Sequence, residues 1–155
     1  MTPGKYRLTF DAKSNTGHDV EVNVHKHSTY VNYGLAGKYF DLTSAWKTFQ
    51  VDFTTPSGFV SSSDVRVRFD IAKYDANGDV YWFDNVSLTK VETTTPTSSS
   101  NLLKNGNFDS GTTDCSFYAA DSTGTKTGTW TSSLGEAKIS LSANGTNVQL
   151  YQSGI

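Results

Sequence analysis

Three short runs put polar, planar and aromatic side chains on one parity and apolar side chains on the other. Gln149 and Tyr151 alternate with Val148 and Leu150, Asn23 and His25 with Val22 and Val24, and Arg68 and Asp70 with Val67 and Phe69. Successive side chains of a strand point to opposite faces. Each run therefore offers an amide, a ring or a charge to solvent while its apolar partners enter a core. Planar amides, carboxylates and Arg hydrogen-bond to hydroxyls, and aromatic rings stack on weakly apolar faces. A neutral polysaccharide presents those two kinds of surface. Alternating polar residues are also what the wet face of any sheet shows, so for Asn23, Arg68 or Gln149 taken singly both readings stand.

Other chemistries are less well served. His25 and His27 share one strand face, as a zinc site would require, but lack a clear third ligand. Asp75-Ala-Asn-Gly-Asp79 imitates the first half of an EF-hand loop. Val86 stands where the closing Glu belongs, and Asn-Gly suits a hairpin turn instead. Asp11, Glu21, Asp52 and Asp70 are carboxylates of the kind a glycosidase sets across a cleft, yet each has a turn or wet-face explanation. No nucleophile elbow, His-Glu zinc motif or phosphate loop is present, and Cys115 has no evident partner histidine. A non-catalytic chain is expected.

The elements that must carry these residues read as strands. Tyr6, Leu8 and Phe10 alternate with Arg7, Thr9 and Asp11, and Phe49, Val51 and Phe53 with Thr48, Gln50 and Asp52. Further strands are expected at Val20–His25, Val65–Ile71, Val80–Leu88, Cys115–Ala119, around Trp130, at Ala137–Leu141 and at Val148–Tyr151. The stretch holding Tyr30 and Tyr33 reads as a loop, and Asp75–Asp79 as the hairpin joining two strands. Trp46 and Trp82 read as core or edge packing, and Trp130 suits either a platform or packing. No stretch carries helical spacing with caps. The fold class is all-β, a β-sandwich, with a jelly roll the natural arrangement.

A length of 155 residues suits one domain. The net charge of −2 comes with no basic run, which argues against nucleic acid and anionic membranes as partners. No apolar stretch is long enough to span a bilayer. No signal peptide is evident, and Met1 followed at once by Thr-Pro-Gly reads as the start of a fragment. Cys115 is the single cysteine, so an internal disulfide is excluded.

Glu92–Ser100 is a Thr/Ser/Pro run with the composition of an extended linker. Residues 1–91 and 101–155 each look incomplete, and each is small for an independent sandwich. Together they suffice for one core.

Three motifs make the chain resemble the carbohydrate-binding modules of families 4 and 9, a β-sandwich group related to families 16 and 22. Asn101-Leu-Leu-Lys-Asn-Gly-Asn-Phe-Asp-Ser-Gly111 is similar to the opening of such a module. Val148-Gln-Leu-Tyr-Gln-Ser-Gly-Ile155 is similar to its middle, which in the family runs into a segment like Pro3–Lys13. Leu42–Phe49 and Trp82–Leu88 are similar to its second half and end. The order departs from the family, where the part like 101–155 precedes the part like 1–91. The resemblance thus implies a circularly permuted sandwich of the galactose-binding-domain-like kind, with 1–91 as its C-terminal part, 92–100 as linker and 101–155 as its N-terminal part. A monomer is the favoured form; a domain-swapped dimer is the alternative.

The resemblance further implies a function: binding internal segments of plant-type β-linked polysaccharides (β-glucan or cellulose, xylan, mannan) in a groove, and targeting an attached, secreted glycoside hydrolase. It adds Tyr118 and Tyr33 as sugar-stacking aromatics to the set Gln149, Tyr151, Asn23, His25, Arg68 and Asp70. It places Asp70 where the family often has an amide, and Cys115 where it usually has Trp. It implies a structural calcium held by Asp84, Asn107 and the Gly135 carbonyl, an oxygen set suited to that ion. A structural or adhesion sandwich without sugar binding is the alternative function.

Overall fold

The computed structural model describes residues 1–91 and 100–155; the expected linker lies, apart from Ser100, outside the described residues. Among the described residues ten strands run in chain order: β1 Lys5–Ser14, β2 Val20–Lys26, β3 Asn32–Phe40, β4 Lys47–Thr54, β5 Val65–Asp70, β6 Val80–Lys90, β7 Ser116–Ala120, β8 Gly128–Ser133, β9 Glu136–Leu141 and β10 Asn147–Ser153. They form two five-stranded antiparallel sheets, ordered β4-β1-β6-β9-β8 and β3-β2-β5-β10-β7. The molecule is an all-β sandwich. Strands from both segments share each sheet: β6 pairs with β9, and β5 with β10.

The core follows from the alternation. Leu8 and Phe10 of β1, Phe83 and Leu88 of β6 and Ile139 of β9 face Val22 and Val24 of β2, Val67 and Phe69 of β5 and Val148 and Leu150 of β10, all buried. Phe10 meets Phe69 edge-on across the sandwich with ring centroids 5.0 Å apart, and Phe69 meets Phe83 at 5.1 Å. Aromatic pairs of this geometry add roughly 0.5–1.5 kcal/mol beyond the area they bury. The β1–β6 register shifts between Thr9 and Asp11. Opposite that shift, Asn85 takes a positive φ of 50°, which Asn tolerates better than most residues. Its Nδ2 donates to Asp11 Oδ2 at 2.8 Å. This irregularity turns both Asp84 and Asn85 outward before Val86 returns to the core.

Two expectations are corrected. The Tyr30–Tyr33 stretch is not wholly loop, since Asn32 opens β3, an edge strand. Its glycines and its two register shifts against β2 hide the alternation. The Asp75–Asp79 turn does not join a hairpin either, because β5 and β6 lie in different sheets. The chain crosses the sandwich there. The Tyr74 and Asp75 amides both donate to the Ile71 carbonyl, and the buried carboxylates point back into the protein. Asp79 accepts from the Ala76 amide, the Thr16 hydroxyl and His18 Nδ1, and Asp75 accepts from the Gly145 amide. Those bonds explain why two acids can be buried at a sheet crossing.

Candidate functional site

The outer face of the second sheet gathers the polar parities of its five strands into cross-strand rows. Tyr39, Glu21, Asp70, Gln149 and Tyr118 form one row, from β3 through β2, β5 and β10 to β7. Asn23, Arg68, Tyr151 and Ser116 form the next. Asn32, His25, Arg66 and Ser153 form a third. Residues directly opposite on antiparallel strands sit about 5 Å apart, so each row sets its side chains next to one another.

Charge on this face is only partly paired. Arg68 Nη2 lies 3.1 Å from Asp70 Oδ2, and Lys73 pairs with Glu21. Asn23 links the rows to β3: its Nδ2 donates to Glu21 Oε1 and its Oδ1 accepts from the Gly37 amide. Arg66 is buried. Its guanidinium lies 3.7 Å from the Tyr151 ring centroid, and its Nε donates to Ser153 Oγ at 3.1 Å. Burial raises the Asp70 carboxyl above its ordinary value, against the pull of Arg68. Burial, then Arg68 and Arg66, push the His25 imidazole down to about 4.

Four buried side-chain atoms around this face have no hydrogen-bond partner among the described residues: His25 Nε2, His27 Nδ1, Arg68 Nε and Gln149 Oε1. Among the described residues the fifth such atom is Thr127 Oγ1. Leaving a buried polar atom unsatisfied costs roughly 1–3 kcal/mol. Four of five in one place mark a surface suited to a hydrogen-bonding ligand. A shallow cleft of about 180 Å³ runs between His27, Arg66, Tyr118, Asn147, Gln149 and Tyr151.

Aromatic rings border the face. Tyr118 is 46% exposed on edge strand β7. Tyr30, 68% exposed and at φ 55°, stacks nearly parallel on His25 with centroids 5.7 Å apart. Tyr39 is 62% exposed at the β3 edge. Tyr33 is a correction. It is 4% exposed, packs edge-on against Phe59 at 4.6 Å, and its hydroxyl donates to the Val60 carbonyl. On β3 the inward parity falls on Tyr33 and Leu35, so this ring is not presented on the outer sheet face.

The face thus unites Tyr118, Gln149, Tyr151, Asn23, His25, Arg68 and Asp70, and leaves out Tyr33. Sequence reasoning missed Arg66, His27, Glu21, Asn147, Tyr30 and Tyr39 as members. Arg66 was readable, since it shares the parity of Arg68 and Asp70. Tyr39 was not, because Gly34 and Gly37 interrupt its strand.

The tryptophans divide. Trp82 is half-buried on the outer face of the first sheet, not in the core; Lys13 and Lys138 Nζ lie 4.8 and 5.8 Å from its ring centroid. Lys13 also lies 4.7 Å from the partly exposed Trp46. Trp130 is half-buried with its centroid 6.5 Å from that of Phe117. The remaining carboxylates weighed for catalysis are engaged elsewhere. Asp52 pairs with Arg7 and Lys5, and Arg7 above all holds it down at about 2. Asp11 accepts from Thr48 and Asn85.

The residues considered for calcium lie around the first sheet. Asp84 Oδ1 accepts from the Asn85 amide. Burial raises the Asp84 carboxyl, and Asp11, Glu136 and Asp109 raise it further. A Cβ on Gly135 would stand 2.9 Å from Asp109 Oδ1 and 3.4 Å from the Asn107 carbonyl. Among the described residues no three His, Cys, Asp or Glu side chains converge as a metal cluster. The oxygen donors suit a hard cation in kind, with backbone carbonyls completing any ligand set.

No family model and no curated protein matches the sequence. A solved structure described as "CBM4 structure and function" is similar over 59% of this chain, with 23% identity and a TM-score of 0.47. The chain spans 56% of that structure's length.

Proposed function

We propose that the chain is a non-catalytic carbohydrate-binding module. Its outer sheet face takes an internal segment of a plant-type β-linked polysaccharide: β-glucan or cellulose, xylan, or mannan. The observation that carries this is the group of four unpartnered buried donors and acceptors beside the exposed Tyr118. Tyr118 stacks on a sugar ring, with Tyr30 and Tyr39 as further platforms. Gln149, Asn23, Arg68 and Asp70 hydrogen-bond to hydroxyls, and Tyr151 with His25 lines the floor. A shallow cleft on an open sheet face suits a chain passing through. The module's role is to hold an attached, secreted glycoside hydrolase on its substrate. Affinity electrophoresis against the three polymers tests binding. Retention on at least one is expected, and Tyr118→Ala weakens it by at least about 1 kcal/mol, or fivefold, with the melting temperature unchanged. Retention on none favours a structural or adhesion sandwich.

We further propose a structural calcium at Asp84, Asn107 and Gly135, with Asp109 as an added oxygen donor. Burial raises the Asp84 carboxyl first, with repulsion from Asp11, Glu136 and Asp109 adding to it, and a divalent cation would relieve that repulsion. Millimolar calcium raises the melting temperature, chelator removes the gain, and Asp84→Ala abolishes the response. A melting temperature indifferent to calcium would sink this assignment.

A further inference from the structure

We infer that the saccharide held on this face carries an oxyanion, a uronic acid carboxylate or a sulfate ester, seated against Arg66. The inference rests on the sugar-binding reading above and names the substrate class. The pairing of charges across the rows supplies the argument. Arg68 is matched by Asp70 and Lys73 by Glu21. Arg66 is left over: no carboxylate among the described residues lies within 4.0 Å of it. The neighbouring acid, Asp64, accepts from the Ser28 amide.

Arg66 is only 8% exposed. A buried cation without a counter-charge is costly unless something pairs it. Protein contacts meet it in part. Nε is taken by Ser153 Oγ and the flat face by Tyr151, and the terminal nitrogens have no protein acceptor among the described residues. Arg66, His27, Tyr118, Asn147, Gln149 and Tyr151 line the same cleft. His25 Nε2, His27 Nδ1 and Arg68 Nε are unpartnered around it. A neutral hydroxyl would satisfy one of these groups. An oxyanion on a sugar would satisfy several and neutralise Arg66, through hydrogen bonds about twice as strong as neutral ones.

The test compares three oligosaccharides by titration calorimetry: a xylo-oligosaccharide bearing glucuronic acid, the same compound with its carboxyl reduced to the alcohol, and a sulfated xylo-oligosaccharide. At low salt, at least one anionic ligand binds about tenfold more tightly than the reduced one, and the ratio falls as salt rises. Whichever anion binds more tightly identifies the oxyanion. Arg66→Gln brings the ratio near one and Arg66→Lys keeps part of it, with melting curves checking the fold. The ligand comparison on the unaltered protein stands even if a variant fails to fold. Equal affinity for all three overturns the inference while leaving sugar binding intact. Binding of none, including neutral polymers, overturns the proposed function itself. A ratio that survives Arg66→Gln overturns the placement.

Discussion

Burial of the His25 imidazole beside Arg66 and Arg68 of β5 and His27 of the following turn couples this face to pH. The folded imidazole is held at about 4, by burial first, against an ordinary value of 6.5. Above 6.5 the ring is neutral in both states and its contribution to stability is complete. As pH falls below 6.5 the unfolded chain takes up a proton that the folded chain refuses, so stability declines until about 4 and then levels. The steepest decline one such group gives is about 1.4 kcal/mol per pH unit. Asp70, Asp75 and Asp84, raised by burial, act with the opposite sign in the same acidic range. The informative quantity is therefore a difference. His25→Gln should flatten the urea midpoint against pH between 6.5 and 4 relative to the unaltered protein. Parallel curves would show that the ring is protonated freely in the fold.

Element by element, what was readable depended on local pattern. β1, β2, β4, β5 and β10 alternate cleanly in sequence, so their existence and core parity followed from it, and with them the outward set Gln149, Tyr151, Asn23, His25, Arg68 and Asp70. β3 was hidden because Gly34 and Gly37 remove side chains that would show its period, so no local alternation stood against the outward role that the family resemblance implied for Tyr33. Which strands become neighbours is a long-range property. The crossing at 71–79, and the rows that bring Arg66 under Tyr151, could not be read from any single run. The Asn105-Gly106-Asn107 turn is where the second segment grips β6. The Gly106 carbonyl accepts from the Val86 amide at 2.8 Å, and a Cβ on Gly106 would stand 1.9 Å from the Val86 carbonyl oxygen. Backbone cannot yield there as a flexible side chain would. Gly106→Ala should destabilise the fold by roughly 1–3 kcal/mol in thermal or urea melts. Gly111→Ala, with open space around its Cβ position, carries only the strain of its φ of 69°, roughly 1–2 kcal/mol, and serves as the comparison that should cost less. Equal losses would mean that the close approach at Gly106 is not what constrains it.

At the scale of the molecule, two segments build one sandwich whose sequence ends meet. The Met1 amino group donates to the Ile155 carbonyl at 2.8 Å. At the other junction, the Val91 amide donates to the Lys5 carbonyl and the Leu102 amide to the Leu88 carbonyl. Both flanks of residues 92–99 therefore sit beside the same end of β6. A connection of eight residues reaches roughly 28 Å when extended, enough to join two flanks on one end of a strand, so each chain can close on itself without borrowing from a neighbour. A monomer by light scattering is expected; a concentration-dependent dimer would favour the swapped form. The stronger test reorders the chain to run from Ser100 to Ile155, through a short Gly/Ser link, into Thr2 to Val91. Every strand pairing survives this change, and the altered loop lengths shift closure entropy by well under about 1 kcal/mol per doubling. The reordered protein should melt within a few degrees of the original, stay monomeric and bind the same polymers. Aggregation or a collapse in melting temperature would mean that the present order of segments is itself needed to fold, and that the meeting of the ends reflects no deeper equivalence of the two arrangements.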